Sequence, residues 1–214
     1  MDERIKNWDL YTVTDLAMAD GKSYPEMVDG LLAGGARVIQ LRNKSSTFEE
    51  LVEVGPSLLE KTRAAAAQLI INDNPYLARE IDADGVHLGQ NDFPVDLARE
   101  IVGSDKLIGL STHTKPQANQ ATLSGADYIG LGPIYNTTTK KMEYNPRGLE
   151  IVRWAAEKLD IPFVCIGGIT LDNLPDVLAA GARCCAVISG IMKQGDLAEA
   201  VRQHRKVFTM LEDV

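Results

Sequence analysis

The chain has 214 residues, 45% of them hydrophobic and 24% charged, which excludes disorder or a fibrous repeat as its main theme. Twenty-two basic residues against thirty acidic ones give a net charge of −8, so no general field draws it to nucleic acid or to an anionic membrane, and an anionic ligand must meet a local cation cluster. No apolar run approaches the roughly 18 residues that span a bilayer, and the start, Met1-Asp2-Glu3-Arg4-Ile5-Lys6-Asn7, lacks the apolar stretch of a secretory signal, so a cytoplasmic location is the default expectation.

In chain order, short β-rich apolar runs predict strands over 10–14, 38–41, 68–71, 85–88, 107–111, 128–131, 163–166 and 185–188. Amphipathic patterns between them predict helices over 24–33, 48–67, 94–102, 115–124, 149–159, 174–180 and 197–211, with a poorer one at 75–80. Thr47 with Glu50 reads as a capping box, and Ser23 stands just ahead of Pro25. Gly35-Ala36, Gly125-Ala126 and Gly181-Ala182 precede strands, each glycine suited to end a helix in a left-handed turn. Cys165, Cys184 and Cys185 lie in apolar strand-like runs without disulfide or zinc spacing and are expected as small buried residues.

Eight strand-helix units of about 27 residues each sit near the lower size limit of a closed (β/α)8 TIM barrel. The open doubly wound sheet is the alternative, but no G-x-G-x-x-G follows the first strand. The expected fold is therefore a single TIM-barrel domain over residues 1–214. In that fold reactive groups come from strand C-termini and the loops after them.

At those ends, strand alternation puts Gln40, Arg42 and Lys44 on one side, joining an amide to two cations. Asn72-Asp73 and Asp92 place two carboxylates at adjacent strand exits. Mg2+ takes one or two such groups and completes its shell with water and phosphate oxygens, although each aspartate also precedes a proline-marked helix start and reads equally as an N-cap. His87 reads as a packed barrel histidine, His113 as a helix-start residue and His204 as a surface residue. Ser111 ends the fifth strand. The sixth runs into a loop with three hydroxyls, Thr137 to Thr139, followed by Lys140 and Lys141, a composition suited to wrapping phosphate. Gly167-Gly168 and Ile188-Ser189 follow the last two strands, where this fold recurrently binds phosphate.

Gln40-x-Arg42-x-Lys44, Asn72-Asp73, the run Gly85-Val86-His87-Leu88-Gly89-Gln90-x-Asp92, the stretch from Gly130 through Lys140, and Gly167-Gly168-Ile169-Thr170 together resemble the thiamine-phosphate synthase family. The resemblance implies a (β/α)8 barrel that joins hydroxymethylpyrimidine diphosphate to hydroxyethylthiazole phosphate with Mg2+. It places Asp73 and Asp92 at the metal. Arg42, Lys44, Asn72, Ser111 and Lys140 fall on the pyrimidine diphosphate and Gln40 on the pyrimidine. Thr137, Thr139, Gly168, Ile188 and Ser189 fall on the thiazole phosphate. The implied mechanism is dissociative, with Arg42, Lys44, Ser111 and Lys140 as its catalytic group. Asn43 stands where many members have an acidic residue, and alternation points it away from the site. The partners implied are small phosphorylated molecules, with a homo-oligomer left open. A thiazole tautomerase of the same barrel, using a histidine for proton transfer, and a non-catalytic sensor of thiamine precursors are the alternatives.

Overall fold

The computed structural model describes residues 3–137 and 144–212, with side chains through residue 210. Eight parallel strands close a barrel in sequence order: β1 (Leu10–Val13), β2 (Val38–Leu41), β3 (Gln68–Asn72), β4 (Gly85–Leu88), β5 (Leu107–Thr112), β6 (Tyr128–Leu131), β7 (Phe163–Ile166) and β8 (Cys184–Val187). Around it run α1 (Tyr24–Ala33), α2 (Phe48–Ala64), α3 (Pro75–Glu80), α4 (Val95–Val102), α5 (Lys115–Leu123), α6 (Gly148–Lys158), α7 (Leu174–Ala179), α8 (Ser189–Met192) and α9 (Leu197–Glu212).

Alternation along each strand sorts the core into two layers. Leu10, Ile39, Leu41, Leu69, Ile71, Val86 and Leu88 face outward under the helices. Tyr11, Val13, Val38, Ile70, Leu107, Tyr128 and Val164 fill the barrel with Trp8, which closes its lower end. Cys165 and Cys185 belong to the outer layer and Cys184 to the inner one, all buried as expected.

Carboxylates at the strands' N-terminal ends do structural work. Asp84 accepts the Leu69 N–H at 2.8 Å and Asp127 that of Ile108 at 2.7 Å, while Asp9 takes two hydrogen bonds from Arg205 at 2.9 and 3.0 Å. Each ties off a strand start, which leaves the opposite mouth for chemistry.

Helix starts follow the local signals. Ser23 and Thr47 both form capping boxes, with Glu26 and Glu50. Gly35, Gly125 and Gly181 take φ of 90°, 83° and 106°, the left-handed ends expected of them. Helix α2 stops short of the expected residue 67 because Ala66 turns left-handed at φ 53°, so that the Ala67 N–H returns to the Thr62 carbonyl at 2.8 Å. The last strand starts and ends one residue earlier than expected, since Ile188 leaves the extended conformation to open α8. That short helix and a 3₁₀ turn at Leu16–Met18 carry too few residues to show a period.

Candidate active site

A cavity of about 210 Å³ opens at the C-terminal mouth. It brings together Gln40, Arg42 and Lys44 from β2 and its loop, Asn72 at the end of β3 and Asp73 just after it, Ser111 from β5, Thr137 after β6, Gly168 after β7, and Ile188 and Ser189 after β8. All of these were singled out from the sequence. Thr139 and Lys140 lie outside the described residues.

Arg42 is buried, and its Nη1 pairs with the carboxylate of Asp15, itself buried at the exit of β1. A guanidinium withdrawn from water needs such a partner. Arg42 also lines the cavity, and its planar guanidinium carries five N–H donors. Tyr24 hydroxyl donates to the Arg42 carbonyl at 3.3 Å and holds the same stretch of backbone. Lys44 is exposed at the rim. Asn43 turns away, as alternation requires: its Oδ1 accepts the Ser45 and Ser46 N–H groups at 3.0 and 2.7 Å.

The two acidic candidates are not N-caps. Asn74, not Asp73, caps α3, accepting the Leu77 N–H at 3.0 Å, and α4 has Pro94 at its N-cap, with no side-chain cap. Asp73 takes a left-handed φ of 66° at the cavity wall, strain that the surrounding structure must hold. Asp92 sits one step back. It is exposed, does not line the cavity, and accepts the N–H of cavity-lining Gly89 at 2.6 Å. Among the described residues no group of three or more metal-ligating side chains gathers.

The phosphate-suited side is built from close backbone approach. Gly168 has φ 66°, and a Cβ there would lie 2.3 Å from the Asn136 carbonyl oxygen. The loop is pinned by Asn173, whose Nδ2 donates to the Gly168 carbonyl at 2.9 Å while its Oδ1 accepts the Thr170 N–H at 2.8 Å.

Three side chains in the floor escaped sequence reading as site residues. Tyr11 and Tyr128 have hydroxyls 2.9 Å apart, and His87 joins them to the wall, its Nδ1 being 3.1 Å from Tyr128 Oη and its Nε2 2.9 Å from Ser111 Oγ. His87 is thus both the packed barrel residue expected and part of the cavity lining. Gly109 makes room for this cluster, since a Cβ there would fall 2.2 Å from Tyr128 Cζ and 2.4 Å from His87 Nδ1. Burial pushes both phenols up, so they remain protonated. His113 lines the cavity too, with Nδ1 donating to the Gly132 carbonyl at 2.7 Å and its ring stacked on Tyr144. His204 corrects the surface expectation: it is 1% exposed inside α9, and burial lowers its pKa.

Residues 10–191 match the family model described as thiamine monophosphate synthase. The chain belongs to the thiamine monophosphate synthase family. It is 42% identical over 198 residues to a thiamine-phosphate synthase of Caldicellulosiruptor saccharolyticus, covering 92% of this chain and 90% of that one. It is 44% identical to that of Moorella thermoacetica, covering 94% and 96%. A solved thiamine phosphate pyrophosphorylase from Pyrococcus furiosus superposes with a TM-score of 0.87 at 36% identity, over 95% of this chain and 96% of that one. Family membership and the closed eight-stranded barrel therefore agree with the sequence reading. Among the described residues no helix is long and apolar enough to cross a membrane.

Proposed function

We propose that the chain is a thiamine-phosphate synthase, joining hydroxymethylpyrimidine diphosphate to hydroxyethylthiazole phosphate with release of pyrophosphate. The observation that carries this reading is the meeting in one cavity of a cationic wall, Arg42 and Lys44, with the glycine-built cradle of Gly168 and Ser189. One anionic group has a place on each side.

Arg42, held by Asp15, and Lys44 bind the diphosphate and offset the charge that develops as its C–O bond breaks. Both bonding electrons leave with pyrophosphate. Gln40 and Ser111 orient the aminopyrimidine, whose ring delocalises the resulting cation. Thr137, Gly168, Ile188 and Ser189 hold the thiazole phosphate so that the ring nitrogen's lone pair forms the new C–N bond. No activated serine or cysteine is called for, and burial pushes the Cys184 and Cys185 thiols well above their ordinary pKa. Thr139 is assigned to the thiazole phosphate, and Lys140 to the departing pyrophosphate, on the family resemblance.

Asp73 and Asp92 fit Mg2+ in chemistry: both offer hard carboxylate oxygens at neighbouring strand exits, and a donor set this small suits a cation whose shell is completed by phosphate and water. When bound, the ion supplies positive charge against the diphosphate.

The test is pyrophosphate release by the purified chain with each precursor alone, with both, and with both after chelation of Mg2+. Release only with both precursors and the metal present supports the reading. Equal release after chelation removes Asp73 and Asp92 from the metal role.

A further inference from the structure

We infer that Tyr11 and Tyr128 are positioning residues, whose hydroxyls, with His87, carry a one-way chain of hydrogen bonds from Gln40 to Ser111 and fix what those two side chains present to the substrate. The links come from five strands. Gln40 Nε2 on β2 donates to Tyr11 Oη on β1 at 3.0 Å, and Tyr11 Oη lies 2.9 Å from Tyr128 Oη on β6. Tyr128 Oη lies 3.1 Å from His87 Nδ1 on β4, and His87 Nε2 lies 2.9 Å from Ser111 Oγ on β5.

The amide end sets the direction, because a primary amide nitrogen donates and does not accept. Tyr11 Oη therefore accepts from Gln40, and because its own proton is buried and needs an acceptor, it gives that proton to Tyr128 Oη, its other hydroxyl neighbour. Tyr128 in turn gives its proton to His87 Nδ1. The imidazole then carries its proton on Nε2 and donates it to Ser111 Oγ. Two outputs follow. Gln40 leaves its Oε1, an acceptor, for the cavity it lines, and the Ser111 hydroxyl has its own proton to donate there.

The chain reverses only as a whole. Were the Gln40 amide turned over, every link would flip, with Gln40 then offering N–H and Ser111 a lone pair. The setting is rigid: Trp8 packs edge-on against the rings of Tyr11 and Tyr128, with centroids 5.3 and 5.0 Å away, and its Nε1 donates to Gln68 Oε1 at 2.5 Å. An acceptor at one end and a donor at the other complement an aminopyrimidine, which carries an exocyclic N–H and ring-nitrogen acceptors. That last step rests on the synthase reading; the chain itself does not.

The protein's other two histidines supply an internal contrast. His113 Nδ1 and His204 Nδ1 each lie 2.7 Å from a backbone carbonyl, of Gly132 and Ala200, and a carbonyl only accepts. Both therefore carry their proton on Nδ1, whereas His87 carries it on Nε2. Nitrogen NMR of the histidine-labelled, substrate-free chain, assigned with His113→Gln and His204→Gln variants, reads this directly. Two Nδ1-protonated rings and one Nε2-protonated ring, the latter His87, are expected; an Nδ1-protonated His87 overturns the inference.

Tyr128→Phe should release the lock, mixing the two neutral forms of His87 and lowering kcat about fivefold, the size of one lost hydrogen bond. Tyr11→Phe frees Gln40 and should raise KM for the pyrimidine diphosphate about fivefold while leaving that for the thiazole phosphate unchanged. It also serves if Tyr128→Phe does not fold. Folded variants with wild-type kinetics and an unaltered His87 signal would overturn the positioning role. Because the NMR needs no substrate, a wild-type chain that releases no pyrophosphate overturns the synthase reading alone.

Discussion

Removing the charge of Asp15 should be the costliest single-atom-scale change near the cavity that touches no substrate. The Arg42 and Asp15 side chains are each 9% exposed, so water cannot take over as counter-charge for the guanidinium. Breaking a buried pair from one side costs about 3–5 kcal/mol, because the other charge is left uncompensated. Asp15→Asn isolates that term, since its remaining Oδ1 still accepts the Ala17 N–H now held at 3.1 Å. We expect a loss of about 3 kcal/mol for Asp15→Asn and about 1 kcal/mol more for Asp15→Ala, which gives up the cap as well. Urea unfolding followed by circular dichroism, with the slope m unchanged, measures both. Inorganic pyrophosphate should restore more stability to Asp15→Asn than it adds to the wild type, by supplying a replacement anion for Arg42. A loss under about 1 kcal/mol in both variants would show that Arg42 does not depend on this partner and would refute the argument from burial.

Asp92→Asn should keep the fold, because an amide oxygen can still accept the Gly89 N–H, while most Mg2+-dependent turnover is lost; unchanged turnover would reduce Asp92 to a turn-closing residue. Gly168→Ala should raise KM for the thiazole phosphate at least tenfold and destabilise the chain by about 1–3 kcal/mol through its left-handed φ and the contact with Asn136; kinetics identical to wild type would mean that the loop has room to yield. His204 predicts an acid-side slope. Burial holds its folded pKa below the ordinary 6.5, so on acidification the unfolded chain takes up the proton first and stability falls as pH drops through and below 6.5. Unfolding measured between pH 5 and 8 should show a shallower slope in His204→Leu, and an identical slope would place the linkage elsewhere.

Barrel strands were legible because both their faces are buried and they read as short continuous apolar runs. The cavity wall was legible through alternation and the rule that strand C-termini carry the chemistry, and Gln40, Arg42, Asp73 and Ser111 do line it. Asp15 was missed because its partner stands 27 residues away. The signal was nonetheless present. Val13 lies opposite Gln40 in the parallel register of β1 and β2, and two residues further along both strands come Asp15 and Arg42. Tyr11 and Tyr128 read locally as apolar strand residues, and nothing nearby in the sequence reveals that Gln40 of β2 and His87 of β4 converge on their hydroxyls. His204 was misplaced by its polar neighbours Arg202, Gln203, Arg205 and Lys206; spacing of four puts it on the buried face with Ala200 and Phe208.

Coupling of two phosphorylated precursors in one cavity is tested most directly by product stoichiometry. With Mg2+ and both precursors present, thiamine phosphate and pyrophosphate should appear in equal amounts, each falling to background when either precursor is withheld. Binding or rearrangement of the thiazole phosphate with no thiamine phosphate formed would contradict the account and point to a tautomerase or a sensor built on the same barrel.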